Sequence, residues 1–207
     1  MRFKIIFLIL IFLIPGTHVL CSEVDTVLSD VEKNMGNVHS IQGMFVQKKQ
    51  MAMFDTPITI LGKLYIQDPD KFAWIVTDPI EYSLIISKNT VTKWDKSNGA
   101  TSLSLKENPM FKEMVEQITF WFSGNYAGCK NDYDINLIKT EPIILEFVPK
   151  DHNPASKMLT KITLVFQADK KYLSKIILLE KNEDITELVF NDVKINSDIA
   201  ESVWETK

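Results

Sequence analysis

The stretch FVQKKQMAMFDTPITILGKLYIQDPDKFAWIVTDPIEYSLIISKNTVTKWD, Phe45 to Asp95, decides the fold. Apolar runs of strand length are separated by Pro57, Asp68-Pro69-Asp70, Asp78-Pro79 and Lys88-Asn89, all turn-forming combinations. Ile58 to Gln67 reads as a strand with Gly62 inside it, the mark of a bulge or a close backbone approach. Phe72 to Thr77 follows, with Phe72, Trp74 and Val76 on one face. Tyr82 to Ser87 is strongly apolar, and Thr90 to Asp95 sets Val91 and Lys93 opposite Thr92 and Trp94. Upstream, Gly43 to Met51 sets Phe45 and Gln47 opposite Met44, Val46 and Lys48. Successive strands with tight turns predict an antiparallel meander.

Strands resume further on, at Tyr133 to Ile138, Ile143 to Pro149, Leu159 to Gln167, Tyr172 to Glu180 and Ile185 to Val193. Hairpins are expected around Ala168-Asp169-Lys170 and Lys181-Asn182-Glu183-Asp184. Two helices flank the first block. Val24, Val27, Leu28, Val31, Met35 and Val38 recur at helical spacing over Glu23 to Val38, with Ser22 and Asp25 as a capping box and Gly36-Asn37 at the end. The second starts at Asn108-Pro109 and presents Met110, Phe111, Met114, Val115, Ile118, Trp121 and Phe122, with Gly124 placed as a C-terminal cap. The result is an α+β chain with about ten strands on one antiparallel sheet. A long twisted sheet curls to manage its edges, so the expected architecture is an incomplete β-barrel with helices over its mouth as a lid.

The N-terminus carries its own message. Met1-Arg2-Phe3-Lys4 precedes an unbroken apolar run from Ile5 to Ile14, which reads as a secretory signal. The run is shorter than the roughly 20 residues of a permanent span. Cleavage is expected after Cys21 or Ser22, leaving 22–207 as one domain exported to the periplasm. The alternative, lipidation of Cys21, fits less well. A lipobox has a small residue before the cysteine and Leu three before it, and here Leu20 and His18 stand there. Cys129 alone cannot make an internal disulfide, so the fold must rest on its core. The formal net charge is −4, and losing Arg2 and Lys4 makes the remainder more acidic. Such a domain has no electrostatic reason to bind nucleic acid.

Enzyme chemistry finds little support. Past the leader the histidines are His39 and His152, in no metal-binding spacing, and no Gly-x-Ser-x-Gly element is present. Asp132 and Asp134 around Tyr133 read as a solvated acidic turn rather than a glycosidase pair. Asp151-His152-Asn153-Pro154 reads as a turn. No enzyme activity, metal or cofactor is expected. The abundant apolar and aromatic side chains point to binding instead.

Several elements together resemble a known family. Phe45-x-Gln47, Pro57-Ile58 with Gly62-Lys63-Leu64, Pro69-x-x-Phe72-x-Trp74, Pro79 before a strand and Trp94-Asp95 after a short turn resemble the periplasmic lipoprotein carrier (LolA) family. Asn108-Pro109-Met110 and Trp121-Phe122-x-Gly124 resemble a related branch of it. The resemblance implies a half-closed barrel whose cavity holds acyl chains of lipoproteins or a related lipid. It implies a carrier working without cofactor between an inner-membrane donor complex and an outer-membrane acceptor, as a monomer. The cavity set it implies here is Phe45, Leu64, Trp74, Leu84, Ile86, Trp94, Met110, Phe111, Met114, Trp121 and Phe147, with Phe72 at the rim as a partner contact. One position departs. The family's main branch has an arginine before the Pro-x-x-Phe-x-Trp element, where it donates to the lid; Asp68 stands there and offers no such donor. The resemblance therefore does not carry the arginine-based gating over, and it leaves a glycolipid, a free acyl chain or a pigment-type ester open as cargo. Two other roles for the same fold remain: an outer-membrane anchored acceptor, which needs lipidated Cys21, and a lipid-responsive sensor or scaffold.

Overall fold

The computed structural model describes residues 22–67, 70–105 and 120–205. Their frame is a single antiparallel sheet of eleven strands in the order β6-β5-β4-β3-β2-β1-β11-β10-β9-β8-β7. The strands are β1 (Ser40–Gln50), β2 (Ile58–Gln67), β3 (Lys71–Asp78), β4 (Tyr82–Ser87), β5 (Thr90–Asp95), β6 (Gly99–Ser104), β7 (Tyr133–Thr140), β8 (Ile143–Pro149), β9 (Leu159–Phe166), β10 (Leu173–Glu180) and β11 (Ile185–Ile195). Each half is a simple meander, and β1 against β11 joins the halves. The edges β6 and β7 do not pair with each other, so the barrel is incomplete.

β6 is the strand that the sequence pattern does not reveal. Its residues Gly99-Ala100-Thr101-Ser102 are small or polar and solvent-facing on an edge, so no alternation marks them. The visible signal is the turn before it, where Asp95 Oδ1 accepts from the Ser97 and Asn98 N–H groups and Gly99 takes φ +69°.

α1 (Glu23–Met35) is held at its start as Ser22 predicts. The Ser22 hydroxyl accepts from the Asp25 N–H at 3.2 Å and donates to the Asp25 carboxylate at 2.7 Å. The helix ends at Met35, three residues before Val38: the Gly36 N–H closes the last i to i−4 bond, on the Glu32 carbonyl at 2.8 Å, and the Val38 N–H turns instead to the Met35 carbonyl at 2.9 Å. Leu28, Val31 and Met35 are buried in the core, while Asp30 and Asp25 pair with Lys170 and Lys130. α1 packs near β7 and the 3-10 turn Ala127–Asn131.

The strand parity read from the sequence holds. Residues opposite one another share a face, so the register Phe45↔Gly62, Leu64↔Trp74 and Trp74↔Leu84 places these side chains on the inner face. The same face continues through Phe190 and Leu188 of β11, Ile176 of β10, Leu164 of β9 and Leu145 of β8. Gly62 fulfils both of its expected roles. The β2–β3 register shifts between Leu61 and Gly62, and a Cβ there would lie 2.4 Å from the Phe45 ring.

Candidate functional site

The inner face is covered unequally. Over β7 to β10 it is filled by α1 and by Tyr126, whose ring makes edge contacts with Phe147 at 5.4 Å and Phe166 at 5.9 Å. Over β1, β3, β4, β10 and β11 a cavity of about 300 Å³ remains. Its walls are Phe72 and Trp74 of β3, Tyr82 and Leu84 of β4, Ile176 of β10, and Leu188 and Phe190 of β11. Gln47 of β1 contributes the one amide among the described lining residues, and Trp121 and Phe122 form the roof.

The walls are held by aromatic packing. Phe45 stacks on Trp74 with ring centroids 3.7 Å apart, and that face-to-face approach depends on the missing side chain at Gly62. Phe72 lies parallel to Trp74 at 6.4 Å, and Phe122 meets Phe190 edge-on at 5.6 Å. Each aromatic pair adds about 0.5–1.5 kcal/mol beyond its buried area.

The roof has its own anchor. Residues 120–123 are helical and end at Gly124, φ +73°, in the capping place that the sequence assigns. A Cβ at Gly124 would lie 2.7 Å from the Met35 Cβ, so the chain can pass α1 there only as glycine. Tyr126, fully buried, donates its hydroxyl to the Trp121 carbonyl at 2.6 Å. Burial pushes its phenol far above the ordinary tyrosine range, so it remains a donor at every working pH. The Trp121 Nε1–H is buried and has no hydrogen-bond partner among the described residues. The Tyr126 hydroxyl thus ties the roof to the buried core.

Of the residues expected at the cavity, Trp74, Leu84 and Trp121 line it. Phe45, Leu64, Ile86 and Phe147 lie on the same inner face but are packed into the core behind or beside it. Phe72 is a cavity wall only 7% exposed rather than an open rim. Trp94 faces away. Its register partner is Ser83, on the opposite face from Leu84, and it lies in an outer recess of about 200 Å³ with Ile75, Ile85 and Val203. The C-terminal turn Glu201–Trp204 helps form that recess, with Trp204 under the Lys71 ammonium at 5.3 Å. Asp68, Met110, Phe111 and Met114 lie outside the described residues.

Gln47, Tyr82, Phe122, Ile176, Leu188 and Phe190 complete the cavity without having been singled out for it. The alternation Thr186, Leu188, Phe190 carries the signal for β11, but it becomes a wall only through the pairs Gln47↔Leu188 and Phe45↔Phe190. Among the described residues no group of three or more His, Cys, Asp or Glu side chains could hold a metal ion. No described helix is long and apolar enough to cross a membrane. Burial raises the Cys129 thiol, with Asp132 adding to the effect, so it is a poor nucleophile.

A curved, unclosed antiparallel sheet holding an apolar cavity under a helical roof is a LolA-like half-barrel. The chain belongs to the family of the outer membrane lipoprotein carrier protein LolA, which matches it over residues 36–207. No curated protein matches the chain at the sequence level. Among solved structures, MucB superposes with a TM-score of 0.58 at 10% identity, covering 90% of this chain and 64% of that one. A chain of the Pseudomonas aeruginosa MucA/MucB complex superposes at 0.55 with 11% identity, covering 90% of this chain and 62% of that one. An uncharacterized conserved protein of Thermus thermophilus superposes at 0.53 with 11% identity, over 87% of this chain and 91% of that one. The chain therefore spans less than two thirds of the length of MucB.

Proposed function

We propose that this protein is a periplasmic carrier that takes an acyl chain of a lipoprotein, or of a related lipid, into the cavity under Trp121 and Phe122 and passes it from inner to outer membrane. The observation that carries this reading is the unfilled apolar space of about 300 Å³. It sits beside a half of the sheet whose inner face is covered by α1 and Tyr126. Family membership supports the same reading.

The size of the cavity suits reversible binding. At about 30 Å³ per water-sized group it takes roughly ten methylenes. At roughly 0.8 kcal/mol each they give a gross gain of about 8 kcal/mol, a micromolar affinity before the costs of ordering. Three fully buried chains would bind too tightly to release. Binding and transfer need no cofactor and change no covalent bond. The leader from Met1 to Cys21 would deliver the chain to the periplasm, with transfer partners in both membranes.

Native mass spectrometry with lipid extraction tests this on the protein purified from its own cell envelope. Acylated cargo at near one-to-one is the expected result. A protein that is empty and also takes up no lipoprotein or fluorescent fatty acid would overturn it. A second reading, a lipid-responsive sensor that binds a protein partner, is favoured by the fold it shares with MucB in complex with MucA. It expects a stable partner whose occupancy changes with lipid. An outer-membrane acceptor would require Cys21 to incorporate a labelled fatty acid, and an unlabelled product excludes it.

A further inference from the structure

The apolar inner face does not stop at the cavity. Beyond it, toward the loops after β1 and β3, lies an open cleft of about 420 Å³ lined by Ile58, Ile60, Val76, Pro79, Ile80 and Tyr82. No polar surface interrupts it. Ile60 and Val76 belong to the inner face through the pairs Gln47↔Ile60 and Gly62↔Val76. Ile58 opposes Lys49 and continues the same face outward. Ile80, in the β3–β4 connection, is 65% exposed, and Ile58 is 46% exposed. Tyr82 is shared, because it lines both this cleft and the cavity. Its phenol makes no hydrogen bond to another described residue, and its ring packs against the core.

We propose that this cleft is a second acyl-chain site, the portal through which a single chain reaches the cavity, with the Tyr82 ring as the partition it must pass. The inference rests on the carrier reading above and adds a route to it. An alkyl chain travelling between lipid and cavity must avoid water, since each exposed methylene forfeits roughly 0.8 kcal/mol. A continuous apolar trough from Ile80 to Trp74 provides that path, and the charged cluster of Lys49, Glu180 and Asp184 flanks its outer end, where Lys49 opposes Ile58. An occupant with one chain and a polar head would leave its head at the Ile58–Ile80 end, in water.

Stopped-flow uptake of a monoacylglycerol carrying pyrene on its chain tests the route, read as separate loading rate, unloading rate and equilibrium affinity. Ile80→Asp puts a charge at the mouth of the trough on an exposed position. It should slow loading and unloading together by about tenfold while leaving affinity within about twofold. Tyr82→Ala should speed both. Ile138→Asp, at a 57% exposed position on the remote strand β7, serves as control and should change neither. Equal rates in Ile80→Asp and Ile138→Asp, with normal binding, would overturn the portal alone. Failure of the unaltered protein to bind the probe would overturn the carrier reading and the portal with it.

Discussion

Gly62 shows how one missing side chain sets the geometry of a site. Its place in β2 lies directly across from Phe45, and the Phe45 ring occupies the space that a Cβ would take. The ring in turn supports Trp74, a cavity wall. Gly62→Ala should destabilise the fold by about 1–3 kcal/mol, the cost of overpacking, and should shift tryptophan fluorescence as the Phe45–Trp74 stack separates. Denaturant unfolding followed by that fluorescence checks both; a neutral variant would show that the stack is not tight. Tyr126→Phe removes the hydroxyl that donates to the Trp121 carbonyl. We expect a loss of about 1–2 kcal/mol in thermal unfolding, with faster amide exchange confined to the roof around 120–123. The sequence places Gly62 well, because a glycine within a strand has few reasons to be there. Trp94 is misplaced for a physical reason: alternation separates Trp94 from Val91 but does not say which of the two faces inward. Only the Ser83↔Trp94 pair decides that, and a pairing is not written in one strand.

At the scale of elements, α1 is held by burial and by ion pairs, of which Asp30 with Lys170 of the β9–β10 turn bears on acid stability. The Lys170 ammonium, bonded to the Asp30 carboxylate, holds that carboxyl below its ordinary value of 3.8; desolvation opposes the effect, and Asn34 assists. A lowered folded-state pKa contributes stability that is present above 3.8 and is lost as pH falls through the folded value. Acid should therefore loosen α1 from the β9–β10 turn. Asp30→Asn should flatten this part of the stability profile, so a difference between the two proteins that persists unchanged to low pH would refute the assignment. Both partners are partly exposed, so the effect should be small and should shrink with salt. Elements with an apolar stripe or a strong alternation, α1 and β2 to β5 among them, are readable from sequence because the core imposes their period. β6 is not, since an edge strand with small polar residues has no core to declare. The C-terminal turn Glu201–Trp204 also escapes a reading by period, because it is one short turn lying on the outer face of β3 and β4.

For the whole molecule, the question is why eleven strands leave a space at all. The two halves of the sheet solve their apolar face differently: α1 and Tyr126 fill one, and an aromatic-walled cavity occupies the other. Curvature was legible in the sequence, since a long meander must hide its edges and its inner face. The void was not, because the same Phe, Trp and Leu alternation serves a filled core and an open one. An empty apolar space costs stability, since its lining lacks the contacts of a packed core, so filling it should separate folding from binding. Leu188→Trp places a larger ring into the cavity from β11, where Leu188 is 6% exposed and lines the space. If the void is a ligand site, this variant should keep or raise its melting temperature while its affinity for a fluorescent fatty acid falls by about tenfold or more, roughly 1.4 kcal/mol. If the substitution instead unfolds the protein, the space is too small or too rigid to admit a side chain. A variant that is stable and still binds at full affinity would place the ligand somewhere other than under Trp121 and Phe122.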